Sequence, residues 1–146
     1  MSSTVGVIVC NHSRARLFKA NAMSFVSELA DQVNPAARLR EQDLATGAPG
    51  TYRGGGSGGQ QHVESHRTSQ HDKAAASFAR DIASTLDQAI TEHGLQKIYV
   101  VAEPDMLGLL RTELSQRTKA LVAEELAKDI VMRTPTQIRD FLPVPL

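Results

Sequence analysis

A chain of 146 residues, 41% of them hydrophobic, is enough for one continuous core, so a single domain spanning 1–146 is expected. Its 16 Lys and Arg balance 16 Asp and Glu, which excludes a protein that binds by covering many phosphates and restricts any nucleic-acid contact to a local one. The lone cysteine, Cys10, excludes an intrachain disulfide. The first apolar run has no Lys or Arg before it, and no stretch approaches the ~20 apolar residues of a membrane span, so a cytoplasmic protein with no membrane contact is expected.

Thr4 to Cys10 is a Val- and Ile-rich run closed by Asn11-His12-Ser13, which reads as a buried strand followed by a hairpin turn. Arg14 to Ala20 alternates, with Ala15 and Leu17 on one side and Arg14, Arg16 and Phe18 on the other, as in an antiparallel second strand. Ser24 to Val33 reads as a third strand, with Phe25, Ser27, Leu29 and Asp31 on one face and Val26, Glu28 and Ala30 on the other. Asn34-Pro35 ends it, because Pro cannot donate to a ladder. From 34 to 69 no periodicity is sustained, and this long loop holds most of the protein's 10 glycines.

Thr68 or Ser69 is then an N-cap for a long amphipathic helix carrying Phe78, Ile82, Leu86, Ala89 and Ile90, which Gly94 terminates. Leu95 to Ala102 reads as a central strand, and Glu103-Pro104 opens a second helix with Met106, Leu107 and Leu110 on its apolar side. Ala120 to Asp129 is assigned to a strand by topology, against the helical preference of its Ala, Glu and Leu. Thr134-Pro135 caps a short last helix that runs to Phe141. The order β-β-β-α-β-α-β-α, a meander followed by crossover units, is that of a ribonuclease H-like mixed α/β sheet.

Metal-dependent phosphodiester cleavage on such a sheet needs converging carboxylates, yet the first strand has none, although Asn11 and Glu103 stand at strand ends where ligands would be wanted. Cys10 and His12, two residues apart, could face one way as nucleophile and base; a buried, inert thiol is the ordinary alternative. His62, His66 and His71 could converge on a metal or merely solvate a polar loop. None of these patterns requires a metal or a cofactor. Arg14 and Arg16 share a face by the two-residue period, as Arg38 and Arg40 would in an extended stretch; such pairs suit phosphate contacts or, with Glu41 and Asp43 following directly, plain surface solvation. Arg53 opens Gly54-Gly55-Gly56-Ser57-Gly58-Gly59-Gln60-Gln61, a run whose glycines let a backbone approach a partner closely and which lacks the Gly-Lys-Ser/Thr of a phosphate-binding P-loop.

Ser13 to Phe18, Phe78-Ala79, Leu107-Gly108-Leu109-Leu110-Arg111 and Val122 to Asp129 together resemble the bacterial host-attachment family, named for a role in binding of bacteria to host cells, over nearly the whole chain. That family is similar in turn to the middle domain of archaeal and eukaryotic peptide-chain release factors and of the rescue factor Pelota. In the release factors a Gly-Gly-Gln before a long helix enters the peptidyl-transferase centre, and its Gln helps place the water that hydrolyses peptidyl-tRNA. The resemblance implies that Gly58 and Gly59 shape the backbone and that Gln60 is the residue of any catalysis. Unlike the strongly basic release-factor helix, Asp72 to Glu92 mixes Lys73 and Arg80 with four acidic residues, Asp72, Asp81, Asp87 and Glu92, and no codon-reading domain is expected.

Three functions follow from this reading. The first is a non-catalytic binding protein that contacts a ribosome, rRNA or tRNA, or another protein partner, through Arg14, Arg16, Arg38, Arg40, Arg53, Gly58, Gly59 and Gln60. The second is an ester hydrolase acting on peptidyl-tRNA through Gln60, and the third an indirect effect on attachment to host cells. An exposed edge on the third or fifth strand could also pair two subunits into a homo-oligomer.

Overall fold

The structure, a computed structural model, describes residues 4–36 and 57–146, with side chains described in 4–36 and 72–146. Strands β1 (Val5–Cys10), β2 (Arg14–Ala20) and β3 (Phe25–Val33) come first. They are followed by α1 (Ser57–His93), β4 (Lys97–Ala102), α2 (Pro104–Glu113), α3 (Gln116–Leu121), β5 (Val122–Ala127) and α4 (Pro135–Asp140). The strands form one 5-stranded sheet in the order β3-β2-β1-β4-β5. β2 runs antiparallel to both β1 and β3, while β4 is parallel to both β1 and β5, which is the expected ribonuclease H-like arrangement.

Every residue of β1 is buried, and β4 is buried from Ile98 onward, because helices or chain segments cover both faces of the sheet at its centre. On one face Ile8, Leu17 and Val100 pack against α1 and α2. On the other, Val7, Phe18 and Val101 pack against Val131, Ile138 of α4 and Leu142. The buried positions Ala75, Phe78, Ala79, Ile82, Leu86, Ala89 and Ile90 recur at helical spacing, so one stripe of α1 supplies most of its packing. Gly94, at φ +62°, ends α1 in the left-handed conformation that glycine adopts without strain. At Gly6 a Cβ would lie 2.8 Å from Leu95 Cδ1, so the missing side chain is what lets Leu95 cover the start of β1.

Three expectations need correction. The long helix begins at Ser57, not at 68 or 69, so residues 57–69 are helical and Gly58-Gly59-Gln60 lies in its first turn. Apolar periodicity gives no signal there, but residues 60–67 contain no proline and several good helix formers, and a helix nucleated by the packed stripe propagates into such a stretch. Residues 37–56, with Arg38, Arg40, Arg53 and Gly54 to Gly56, lie outside the described residues, as do the side chains of Gln60, His62, His66 and His71.

The second correction is α3, which the reading of Ala120 to Asp129 as strand alone missed. Ser115 caps it by accepting from Thr118 N at 3.2 Å, and Asp87 of α1 accepts from Ser115 Oγ at 2.7 Å and from fully buried Thr118 Oγ1 at 3.0 Å. The third concerns β3, where register irregularities against β2 break the alternation. Phe25 stacks on Phe18 at 4.8 Å between centroids on one side of the sheet, whereas Leu29 packs on the other with Ala30.

Leu86, fully buried between α1 and the sheet, tests this packing. Leu86→Ala should lower the unfolding free energy in urea by about 2–5 kcal/mol without changing the α/β circular dichroism of the folded protein.

Candidate functional site

The parallel strands β1, β4 and β5 end on the same side of the sheet, and the chain leaves β1 toward β2 but leaves β4 toward β5. The crevice at the carboxyl ends of such strands is the usual ligand position in open α/β sheets. The buried interior of β1 holds no carboxylate, and polar groups stand just beyond the strands: Asn11 and His12 after β1, Glu103 after β4, and Lys128 and Asp129 after β5.

Asn11 builds the turn, with Oδ1 accepting from Ser13 N at 2.8 Å and from Arg14 N at 2.9 Å, and its Nδ2 donates to Asp129 at 3.1 Å. Glu103 occupies the N-cap position of α2 but makes no side-chain cap there. Its Oε1 instead accepts from His12 N at 2.8 Å and lies 2.7 Å from His12 Nδ1, bridging the crevice. An acceptor already bound to a backbone N–H favours the tautomer with hydrogen on Nδ1, so Glu103 orients the ring. Buried Asn34 ties the end of β3 to the same turn, donating through Nδ2 to His12 O and through N to Ser13 O, both at 2.8 Å.

Cys10 is fully buried beneath this cluster. Burial pushes its thiol far up, with the negative charges of Glu103 and Asp129 adding to the effect, so it stays protonated and is no thiolate nucleophile. Among the described residues no group of three or more His, Cys, Asp and Glu is placed to hold a metal ion, and Asn11 and Glu103 are engaged with Asp129 and His12.

Arg14 and Arg16 do share a face of β2, and each meets a carboxylate of β3 on it. Arg14 grips Asp31 through Nε at 2.9 Å and Nη2 at 2.6 Å, and Arg16 binds Glu28 through Nε at 2.8 Å. Arg16 also donates to Val131 O at 3.3 Å and Arg133 O at 3.1 Å, fastening the segment after β5 to the meander. The expected binding residues Gly58 and Gly59 stand at the start of α1, away in sequence from the buried stripe at 75–90. Asn34, Asp129 and the His12–Glu103 contact were not legible in the chain, because each depends on a partner about 20 to 120 residues away; their one sequence signal is position at the end of a strand.

Fold and site thus define a ribonuclease H-like α/β protein with a polar bridge of Asn11, His12, Glu103 and Asp129 at the strand ends where a nuclease of this fold would gather carboxylates. The model of the family described as "Protein required for attachment to host cells" matches residues 6–142, and the chain belongs to that family. An uncharacterized protein of Rickettsia prowazekii (strain Madrid E) is 35% identical over 66 residues, 44% of each chain, so the match spans less than half of either. The crystal structure of an archaeal translation termination factor superimposes with a TM-score of 0.46 at 12% identity, over 84% of this chain and 29% of that one. Among the described residues no helix is long and apolar enough to cross a membrane.

The Arg14 hydrogen bond, with the charges of Arg14 and Arg16 behind it, holds the Asp31 carboxyl below its ordinary value. The pair therefore contributes stability above the ordinary aspartate range, near ~3.9, and loses it as pH falls through the lowered folded value. In an NMR pH titration Asp31 should show a midpoint below ~3.9, and Arg14→Ala should raise it toward that value. An unchanged midpoint would mean the pair does not persist in solution.

Proposed function

We propose that the protein is a cytoplasmic, non-catalytic binding protein that contacts a ribosome or another RNA–protein partner through its glycine-rich segment, with Arg38, Arg40, Arg53, Gly58, Gly59 and Gln60 as contact residues. The observation that carries this reading is how the arginines of the folded body are already engaged. Arg14, Arg16, Arg80, Arg111 and Arg117 each lie in a salt bridge, with Asp31, Glu28, Glu113, Glu125 and Asp87 respectively. Arg139 is turned onto the carbonyls of Ala22, Leu142 and Pro143.

Guanidinium groups held by carboxylates have little left to offer a phosphate, so these arginines of the described body do not form a field for RNA. Arg38, Arg40 and Arg53 cluster instead in the stretch that leads to Gly58-Gly59-Gln60 at the head of α1. Local contact by a few cations and a glycine-rich backbone suits a chain of zero net charge. On this reading an effect on attachment to host cells, the role in the family's description, is indirect.

Co-sedimentation with ribosomes from the source cells at low and moderate salt tests the proposal. The wild type should pellet in a salt-sensitive manner, and the combined Gly58→Ala, Gly59→Ala, Gln60→Ala variant should remain in the supernatant; absence of wild-type pelleting at both salts overturns the reading. Hydrolysis of peptidyl-tRNA by the wild type that Gln60→Ala abolishes, with pelleting retained, would make the protein an esterase and end the non-catalytic reading.

A further inference from the structure

One arginine of the described body departs from this pattern. The guanidinium of Arg133 meets no carboxylate or carbonyl among the described residues; it lies over the Phe141 ring, 5.8 Å from the centroid. Lys128, likewise without an anionic partner among the described residues, places Nζ over the same ring at 5.7 Å. Phe141 itself is 38% exposed, and Met132 beside Arg133 in the chain is 75% exposed. Two cations and an accessible ring therefore converge on the segment between β5 and the end of α4.

The patch is rigidly mounted. Arg133 N donates to Ile130 O at 3.0 Å, and Arg133 O accepts from the inward-turned Arg16 at 3.1 Å. Thr134 and Gln137 close a capping box immediately after it. Ile138 and Leu142, on either side of Phe141, are buried in the core, so the ring stands at the edge of a packed helix. Of the nearby acidic residues, Asp129 is engaged by Asn11, and exposed Asp140 precedes Phe141.

We propose that Phe141, Lys128 and Arg133 form a contact for single-stranded RNA, in which one unpaired base stacks on the part-exposed ring in place of the two cations and these turn onto its flanking phosphates. An exposed aromatic face with adjacent cations is the chemistry that binds unpaired nucleotides without reading their sequence. A carboxylate-rich protein partner would satisfy the cations but leave the ring unused. The choice of RNA over DNA rests on the function proposed above; the residues are other than those of the glycine-rich segment.

Fluorescence anisotropy with a labelled single-stranded oligouridylate tests it, using the full chain, at two salt concentrations. Phe141→Leu should weaken binding roughly tenfold or more, as expected for loss of one base–ring stack. Arg133→Gln, which leaves the backbone contacts of the segment in place, should weaken it and flatten the salt dependence. Circular dichroism checks that both variants fold. Undiminished binding by both variants overturns the proposal, as does a wild type that fails to bind the oligomer or that prefers the matching oligodeoxynucleotide or a duplex. If the variants bind RNA normally while the Gly58, Gly59 and Gln60 variant does not, this contact fails and the function proposed above stands; the opposite pattern confines the failure to the glycine-rich segment.

Discussion

Strand β1 sits between β2 and β4, hydrogen-bonded on both edges and buried on both faces, and the rest of the protein is arranged to permit that. A strand so enclosed can carry no unpaired polar side chain, since each would cost free energy comparable to a lost hydrogen bond or more. Its six residues are therefore Val, Gly, Ile and Cys, and the one glycine sits where Leu95 needs room. The same enclosure keeps carboxylates out of β1 and leaves them beyond its neighbours' ends, Glu103 directly after β4 and Asp129 two residues after β5. There Glu103 and Asp129 find donors in His12 and Asn11.

Those strand-end groups cross-link rather than gape. His12 to Glu103 joins the β1–β2 turn to the head of α2, Asn11 to Asp129 joins it to the chain after β5, and Asn34 joins it to the end of β3. The crevice that the topology opens is thus spanned by side chains from three directions. A second set of ties, from Arg14 and Arg16, closes the meander against the segment that leads to α4. Exposed ion pairs of this kind contribute at most about 1 kcal/mol each, but here they also decide which cations remain available to a partner.

That availability is the link from fold to function. The sheet and its helices use their arginines internally, through Asp31, Glu28, Glu113, Glu125 and Asp87. In the proposed function and the proposed RNA contact, recognition is accordingly assigned to the glycine-rich segment and its neighbouring arginines, and to the ring of Phe141 with Lys128 and Arg133. In both places contact would be local, consistent with a molecule whose charges sum to zero.

Local pattern alone determined the strands β1, β2 and β4, the buried stripe of α1 and the Thr134-Pro135 start of α4, because hydrophobic period and capping chemistry are properties of adjacent residues. The order of the elements was enough to place the strands in one mixed sheet, with Arg14 and Arg16 on a common face. Tertiary structure decided the remainder. The helical state of 57–69 follows from a helix already stabilised further along, the short helix α3 depends on Asp87 of α1 reaching Ser115 and Thr118, and the irregular register of β3 lets Phe25 and Leu29 pack on opposite sides of the sheet. Whether Arg16 binds a phosphate or Glu28, and whether His12 serves Cys10 or Glu103, depends on partners brought together from distant parts of the chain, and only folding sets that distance.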